Sequence, residues 1–270
     1  MAKHKRVWNE NQYRKYLAEG RGQGLLDDYK PWIQIQDFPS QGIVSRVKGR
    51  KTGRVHHLMS NLELEYFYLL DWSEKTQDIR EQYPLEDLTT AISIAETAGI
   101  NYPYDKASGF PYIMTSDFLI TTRNGLTARA IKPAKELKKA RVREKLEIER
   151  RYWQHHGIDW KLVTENEIPR TKVRNIQWLC SGQDVYCLIP DDKQRCQCKE
   201  AFLELYDKGR YPIMVILQYV ENDFRLEAGS GIAVFKMLVY QKQIILDLDK
   251  EINLAETKDG KAYGMHHLFE

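Results

Sequence analysis

Two apolar runs separated by Asn124-Gly125 dominate the hydrophobic pattern in the middle of the chain. An Asn-Gly pair between two such runs is a strong signal for a β-hairpin. The pattern therefore predicts two antiparallel strands, the first carrying Asp117 and the second ending at Lys132. Because side chains alternate along a strand, Ala130 and Lys132 should share one face of the second strand.

A helical pattern precedes the hairpin and begins at Ser60. Ser60 and Glu63 have the spacing of a capping box, in which the two residues bond each other's backbone amides. Glu63 also shares a helical stripe with Phe67 and Leu70, which turns its carboxylate toward the interior. A carboxylate facing inward needs a partner, so Glu63 is either a cap or a site residue.

A second helical pattern follows the hairpin, from about residue 135 to 154. Its narrow apolar stripe consists of Val142, Leu146 and Trp153. Glu149 lies inside this stripe, where a helix facing a core normally carries apolar side chains. Pairing with Lys145 or Arg150 explains Glu149 as well as a role facing a functional site does.

The remaining patterns complete two predicted domains, 1–167 and 168–270. A strand at TQDIREQYPL, an insertion at 85–109 with a short helix, and a last strand at DWKLVTEN join the elements above. The order helix, strand, strand, strand, helix, strand predicts an α/β domain with helices packed on a small mixed sheet. Beyond residue 168, helical patterns and a short strand at IILDLD predict a winged-helix-type domain that contacts DNA or protein.

Composition narrows the class of protein. The chain has 270 residues, 42% of them hydrophobic, which suffices for two cores. Its polar N-terminal stretch and short apolar runs predict a soluble cytoplasmic protein without a membrane partner. The four cysteines lack the paired CxxC spacing of a zinc ribbon, which favours free thiols over a structural zinc or disulfides.

The net charge of the chain is small, but its basic residues are concentrated in particular segments. The net charge is only +3, but residues 123–151 hold eleven Lys and Arg against four Glu. This run either neutralises phosphates or is a solvated helix face with Glu/Lys pairs. Its candidate DNA contacts are Lys135, Lys138 and Lys139. The basic segment VSRVKGRKTGRVHHL is a DNA-contacting loop or an exposed hairpin, with candidate contacts at Arg54, His56 and His57.

Asp117 and Lys132 on adjacent strands have two interpretations. An isolated Asp/Lys pair is more often a partly exposed ion pair than a catalytic site. If Glu63 converges with them, however, two carboxylates and backbone carbonyls supply the hard oxygen ligands suited to Mg²⁺ or Mn²⁺. Phosphodiester hydrolysis needs an activated water and charge stabilisation, which metal ions and a lysine provide. This combination predicts a metal-dependent nuclease.

Longer runs of residues carry a closer resemblance. EGRGQG, KTGRVHHL, SNLELEYF, DIREQYPL, MTSDFLI, IKPA, EKLEIERRYWQ and NIQWL, in this order, resemble the TnsA endonuclease subunit of heteromeric bacterial transposases over about residues 18–180. The resemblance implies a restriction-endonuclease-like fold and cleavage of the 5′ strand of double-stranded DNA at transposon ends. It also implies two partners: TnsB, an integrase-type transposase that cuts the 3′ ends, and TnsC, an AAA+ ATPase that engages the C-terminal domain.

The same resemblance implies the site residues. Catalytic positions fall on Glu63, Asp117 and Lys132. Two Mg²⁺ or Mn²⁺ ions would be held by Glu63, Asp117, the carbonyl of Ile131 and Glu149.

One position departs from the family. Where the family has Gln or Glu two residues before the lysine, this chain has Ala130, which offers no side-chain oxygen. The metal site is then either rearranged or disabled. A disabled chain would be a DNA-binding adaptor between transposase and ATPase. A third hypothesis is a self-sufficient restriction-type nuclease.

Overall fold

Two units make up the computed structural model, which describes residues 7–37, 43–182 and 184–261. The units are Met1–Ile168 and Pro169–Glu270. The helices and strands of the first unit are α1 (Glu10–Ala18), β1 (Ser45–Lys48), β2 (Val55–Leu58), α2 (Asn61–Trp72), β3 (Thr76–Pro84), α3 (Leu88–Thr97), β4 (Thr115–Thr122), β5 (Gly125–Ile131), α4 (Ala140–His155) and β6 (Asp159–Val163). None of the helices in the described ranges has the length and apolar character needed to span a bilayer.

A four-stranded sheet in the order β3-β4-β5-β6 confirms the predicted α/β architecture of the first unit. Its first three strands pair antiparallel, and β6 pairs parallel to β5 after the chain crosses through α4. The predicted hairpin is β4-β5, with Thr122 opposite Gly125. Its loop is therefore Arg123-Asn124, one residue earlier than predicted. Gly125 begins β5 with a φ of 110°, a conformation that residues with a Cβ rarely adopt.

Helices α3 and α4 cover the sheet through one apolar cluster. Small residues at Ala91, Ala95 and Ala128 are fully buried, which lets helix and strand backbones approach closely. The larger members of the cluster are Leu85, Tyr102, Leu119, Ile148, Tyr152 and Trp153. The insertion predicted at 85–109 thus contributes α3 to the core, and α4 is held rigidly beside β4 and β5.

In the described part of the first 60 residues, 7–37 and 43–60, helix α1 and the hairpin β1-β2 are regular elements. Helix α1 begins at a cap in which the Asn9 side chain accepts from the amide of Gln12. Aromatic rings from this region pack together, with Trp8 and Tyr16 each against Trp32 in edge-on geometry. Contacts of this kind join residues distant in sequence, and no helical or strand periodicity reveals them.

The hairpin β1-β2 is attached to the sheet through Glu81, which is fully buried in β3. Arg54 donates to its carboxylate at 2.8 and 2.5 Å, and His56 Nδ1 lies 2.7 Å from it. Burial would raise the pKa of Glu81, but hydrogen bonds from Arg54 and His56 hold that pKa at about 2. Arg54 and His56 therefore serve the interior of the unit rather than the DNA-contacting role predicted for them.

Replacing Glu81 with Gln should destabilise the first unit by about 3 kcal/mol at pH 7, because Arg54 is left buried without its charge partner. The Glu81 pKa lies below its unfolded value, so the stabilisation is present above about pH 4.5 and is lost as pH falls toward 2. Chemical denaturation of the two proteins measures the difference. Glu144→Gln, which removes an exposed pair with Arg141, is the matched control and should change stability by less than about 0.5 kcal/mol. Equal effects would contradict the role of Glu81.

Helices account for the secondary structure of the second unit across residues 169–182 and 184–261. They are α5 (Arg170–Leu179), α6 (Val185–Leu188), α7 (Asp192–Asp207), α8 (Ile213–Asp223) and α9 (Ser230–Tyr240). The strand predicted at IILDLD is wrong, because residues 244–249 form a bend, an irregular stretch and a turn rather than a strand. The Asn175 side chain donates to the carbonyls of Leu248 and Lys250 at 2.8 and 2.6 Å, replacing the bonds of a ladder. A winged-helix domain is therefore not supported. All four cysteines lie in this unit, and Cys187, Cys196 and Cys198 are free thiols.

Candidate active site

Asp117 and Lys132 meet where β4 and β5 lie side by side. Lys132 Nζ is 2.8 Å from Asp117 Oδ2 and donates to its neighbour's carbonyl, Ile131 O, at 2.9 Å. The amide of Ile131 donates to the same Asp117 oxygen at 2.6 Å. Burial lowers the pKa of Lys132, but the Asp117 carboxylate outweighs it and the pKa is raised, so the ammonium stays charged. The Lys132 side chain is 36% exposed, which leaves it accessible to a ligand.

Glu63 lies in the first turn of α2 and forms half of the predicted capping box, because its amide bonds Ser60 but its carboxylate accepts from the amide of Met59. The Ser60 hydroxyl accepts from the Glu63 amide at 3.2 Å and donates to Oε1 at 2.9 Å. The Met59 amide donates to Oε2 at 3.0 Å. The carboxylate is nevertheless buried, and burial together with the charge of Asp117 raises its pKa to about 7. Glu63 therefore caps its helix, and the charge of Asp117 acts on its carboxylate.

Gln82 links Glu63 to the strand that carries Asp117. Its side-chain amide donates to Glu63 Oε2 at 3.3 Å and accepts from the Thr115 hydroxyl at 3.2 Å. Its φ is 48°, a left-handed conformation that a non-glycine residue adopts only when its surroundings impose it. Strain of this kind is typical of functional sites. No sequence pattern indicated Gln82, since its conformation depends on partners far along the chain.

Glu149 on α4 is held by three residues from different elements. The Ser116 hydroxyl donates to Glu149 Oε1 at 2.6 Å, and the Trp160 indole donates to the same oxygen at 3.0 Å. The Trp153 indole in turn donates to Ser116 Oγ at 2.6 Å. Among the described residues, Glu149 Oε2 has no hydrogen-bond partner. The alternative pairing of Glu149 with Arg150 does not form, because Arg150 pairs with Glu147.

Burial and the charge of Asp117 raise the pKa of Glu149 to about 7, although the bonds from Ser116 and Trp160 act in the opposite direction. Glu149 and Lys132 both line one cleft with a volume of about 440 Å³. Asp117 is not one of the residues that line this cleft, but it bonds Lys132, which is. The elements of the first unit therefore bring a lysine and an incompletely bonded carboxylate to a single opening.

The donor chemistry of this opening fits a hard divalent cation. Carboxylates and a backbone carbonyl are the ligands that Mg²⁺ and Mn²⁺ prefer. Burial is the larger cause of the raised pKa values of Glu63 and Glu149, and the charge of Asp117 raises them further; a cation would offset this second effect. In the described part of the chain, no three His, Cys, Asp or Glu side chains already form a metal-binding group. Ala130 is fully buried opposite Leu162 and adds no oxygen.

The predicted DNA contacts fall into different environments. Lys135 and Lys138 are exposed on the short 3₁₀ helix directly after Lys132, and Lys139 is exposed but pairs with Glu136 at 2.6 Å. His57 is half-buried, and its Nδ1 accepts from the amide of Ile35. The exposed cations of the β1-β2 hairpin are instead Arg46 and Lys48, which alternate on β1. The strand period could have indicated them, since Val47 separates the two.

Comparison with known proteins gives matches along most of the chain. Residues 73–165 match the model of the TnsA-like endonuclease N-terminal family, and residues 167–248 match that of the TnsA endonuclease C-terminal family. The chain is also 36% identical to the Escherichia coli transposon Tn7 transposition protein TnsA over 262 residues, 96% of this chain and 94% of that protein. Asp117, Lys132 and Glu149 lie inside the first family match, and Glu63 precedes it.

Proposed function

This chain belongs to the TnsA family, the endonuclease subunits of transposases, and we propose that it cuts the 5′ strand at transposon ends in a reaction that depends on Mg²⁺ or Mn²⁺. The observation that carries the proposal is the contact of Asp117 with Lys132 beside the free oxygen of Glu149. The order of strands and helices around these residues supports a restriction-endonuclease-like fold for the first unit.

The proposed ligands of the cation are Asp117, Glu149 and the carbonyl of Ile131, with Glu63 available to a second ion. When bound, such a cation acts as a Lewis acid on the phosphate and lowers the pKa of a coordinated water. Ser116 and Trp160 occupy one oxygen of Glu149, which lines the cleft, and leave the other oxygen for the cation. Partners that fix a ligand in this way commonly change metal affinity ten- to a hundredfold when removed.

Lys132 has two parts in the proposed reaction. Its ammonium, kept charged by Asp117, lies at the cleft and donates hydrogen bonds to the scissile phosphate as negative charge builds on its oxygens. Before DNA binds, the same ammonium bonds Asp117 and Ile131 O, which compensates the carboxylate. The substrate phosphate and the cation would therefore replace the bonds that Lys132 makes to Asp117 and to Ile131 O in the free protein.

Exposed Lys and Arg side chains next to the site support a DNA-binding surface there. Lys135 and Lys138 follow Lys132 within six residues, close enough for neighbouring phosphates of the same strand. Arg46 and Lys48 on β1 are further candidates, and they replace Arg54 and His56 in this role. The cut of the 3′ strand is assigned to an integrase-type partner transposase, TnsB. An AAA+ ATPase, TnsC, is proposed to engage the helical second unit.

Ala130 provides the experiment that separates an active subunit from a disabled adaptor. The unaltered chain, assayed with its partner transposase, is expected to nick the 5′ strand in Mg²⁺, because Glu149 and the Ile131 carbonyl already supply oxygens. Ala130→Gln should then change the single-turnover rate by less than about tenfold. End-labelled transposon-end duplexes measure both rates. No cleavage by the unaltered chain, with activity appearing only in Ala130→Gln, would establish the adaptor instead.

A further inference from the structure

The cleft beside Lys132 has more apolar wall than phosphate chemistry requires. Pro103, Tyr112, Ile113 and Met114 line it from the loop that leads into β4, and Val142 and Leu146 line it from α4. A phosphodiester backbone is polar and charged, so these walls have no counterpart in it. The volume of about 440 Å³ is in the range of sites that enclose a small organic group.

Tyr112 is the aromatic residue of these walls, and it is fixed before any ligand arrives. Its hydroxyl donates to Asp105 Oδ2 at 2.7 Å. The Trp8 ring lies nearly parallel to it at an interplanar angle of 18°. Tyr112 is still 40% exposed. A ring that is held in place yet accessible is a suitable platform for stacking a planar group.

The position of the cleft beside Lys132 identifies the group that it binds. A phosphate being cut must contact Lys132, and Lys132 itself lines the cleft. Whatever enters beside that phosphate is therefore part of the same nucleotide or the next one. The planar, weakly polar portion of a nucleotide is its base. We propose, on the basis of the proposed function, that this cleft receives one base that leaves the duplex stack next to the scissile phosphate.

The walls also indicate how such a base is recognised. The six lining residues named above offer apolar and aromatic contact surface, which accepts any base because every base has a π face. Thr115 and Lys145 also line the cleft and can donate hydrogen bonds. The apolar walls therefore favour a base that unstacks easily, and unpaired bases unstack most easily.

The test is a scan of single mismatches along a transposon-end duplex, bound by the full chain and its partner transposase without a divalent cation. A mismatch at the base pair next to the scissile phosphate should tighten binding about tenfold, and mismatches elsewhere should change it by less than about threefold. Tyr112→Phe retains the ring and should keep the gain. Tyr112→Leu removes the ring and Val142→Phe narrows the cleft, so both should reduce the gain to less than about threefold. Tyr104→Leu, another exposed tyrosine outside the cleft, is the matched control.

A gain at no position, or a gain that Tyr112→Leu and Val142→Phe both retain, would overturn the inference. So would equal weakening of all duplexes by these variants, which would indicate a side chain of the partner in the cleft. Cleavage of the matched duplex by the unaltered chain in Mg²⁺ is measured in parallel. If that cleavage occurs without a mismatch effect, only this inference fails. If it does not occur, the proposed nuclease activity fails.

Discussion

Lys132→Met is expected to slow cleavage of the transposon end on the order of a thousandfold, the loss typical of removing one positioned donor from a transition state. Methionine keeps most of the unbranched side chain but cannot donate to a phosphate. It also leaves Asp117 Oδ2 with a single bond, from the amide of Ile131. Metal affinity should therefore stay the same or increase. The measurements are single-turnover cleavage rates and a Mn²⁺ titration of the two proteins.

Lys145→Met is the control for Lys132→Met. Lys145 lines the same cleft and carries the same charge, but it makes no bond to Asp117. Its replacement should slow cleavage by about tenfold or less, since a general electrostatic contribution is screened by salt. Similar losses in the two variants would contradict a specific role for Lys132 and would attribute the effect to overall positive charge.

Glu149→Gln is expected to stabilise the metal-free protein at pH 8. Burial and Asp117 raise the pKa of Glu149 from 4.5 to about 7 in the folded state. A carboxyl group with a raised pKa costs stability as pH rises from its unfolded to its folded pKa, and a rise of this size corresponds to about 3 kcal/mol. The neutral amide still accepts from Ser116 and Trp160. The Tm should increase by about 5–10 °C at pH 8 and by less than about 2 °C at pH 5.

Glu147→Gln tests the same argument with the opposite sign. Glu147 lies on the same helix, and hydrogen bonds from Arg150 and Arg151 hold its pKa at about 2. Its replacement should lower the Tm at pH 8.

Adding Mg²⁺ should stabilise the unaltered protein more than Glu149→Gln, because a ligand that binds only the folded state stabilises it and the variant lacks a metal ligand. A lower Tm for Glu149→Gln in EDTA at pH 8 would contradict a strained carboxylate.

The elements that carry the site could be predicted because each has a local signal. Asn124 and Gly125 indicated the hairpin, and the Ser60–Glu63 spacing indicated the start of α2. A run of alternating side chains can be assigned to a strand without knowledge of its neighbours. The contact between Asp117 and Lys132 then follows from pairing two adjacent strands.

Other features depend on contacts that no local pattern contains. The left-handed backbone of Gln82 and the bonds from Ser116 and Trp160 to Glu149 join residues on separate elements. Arg54 and His56 were predicted to be exposed, but both bind the buried carboxylate of Glu81. At IILDLD, a run rich in apolar residues suggested a strand, but residues 244–249 form none, and the Asn175 side chain bonds the carbonyls of Leu248 and Lys250.

Strand cleavage by the unaltered chain is the most direct test of the site built on Asp117, Lys132 and Glu149. A transposon-end duplex labelled on each strand in turn is incubated with the chain and its partner transposase, with Mg²⁺ or with EDTA. We expect a cut in the 5′ strand that requires Mg²⁺ and disappears in Asp117→Asn, whereas cleavage of the 3′ strand by the partner continues. A 5′ cut that persists in EDTA or in Asp117→Asn would contradict it.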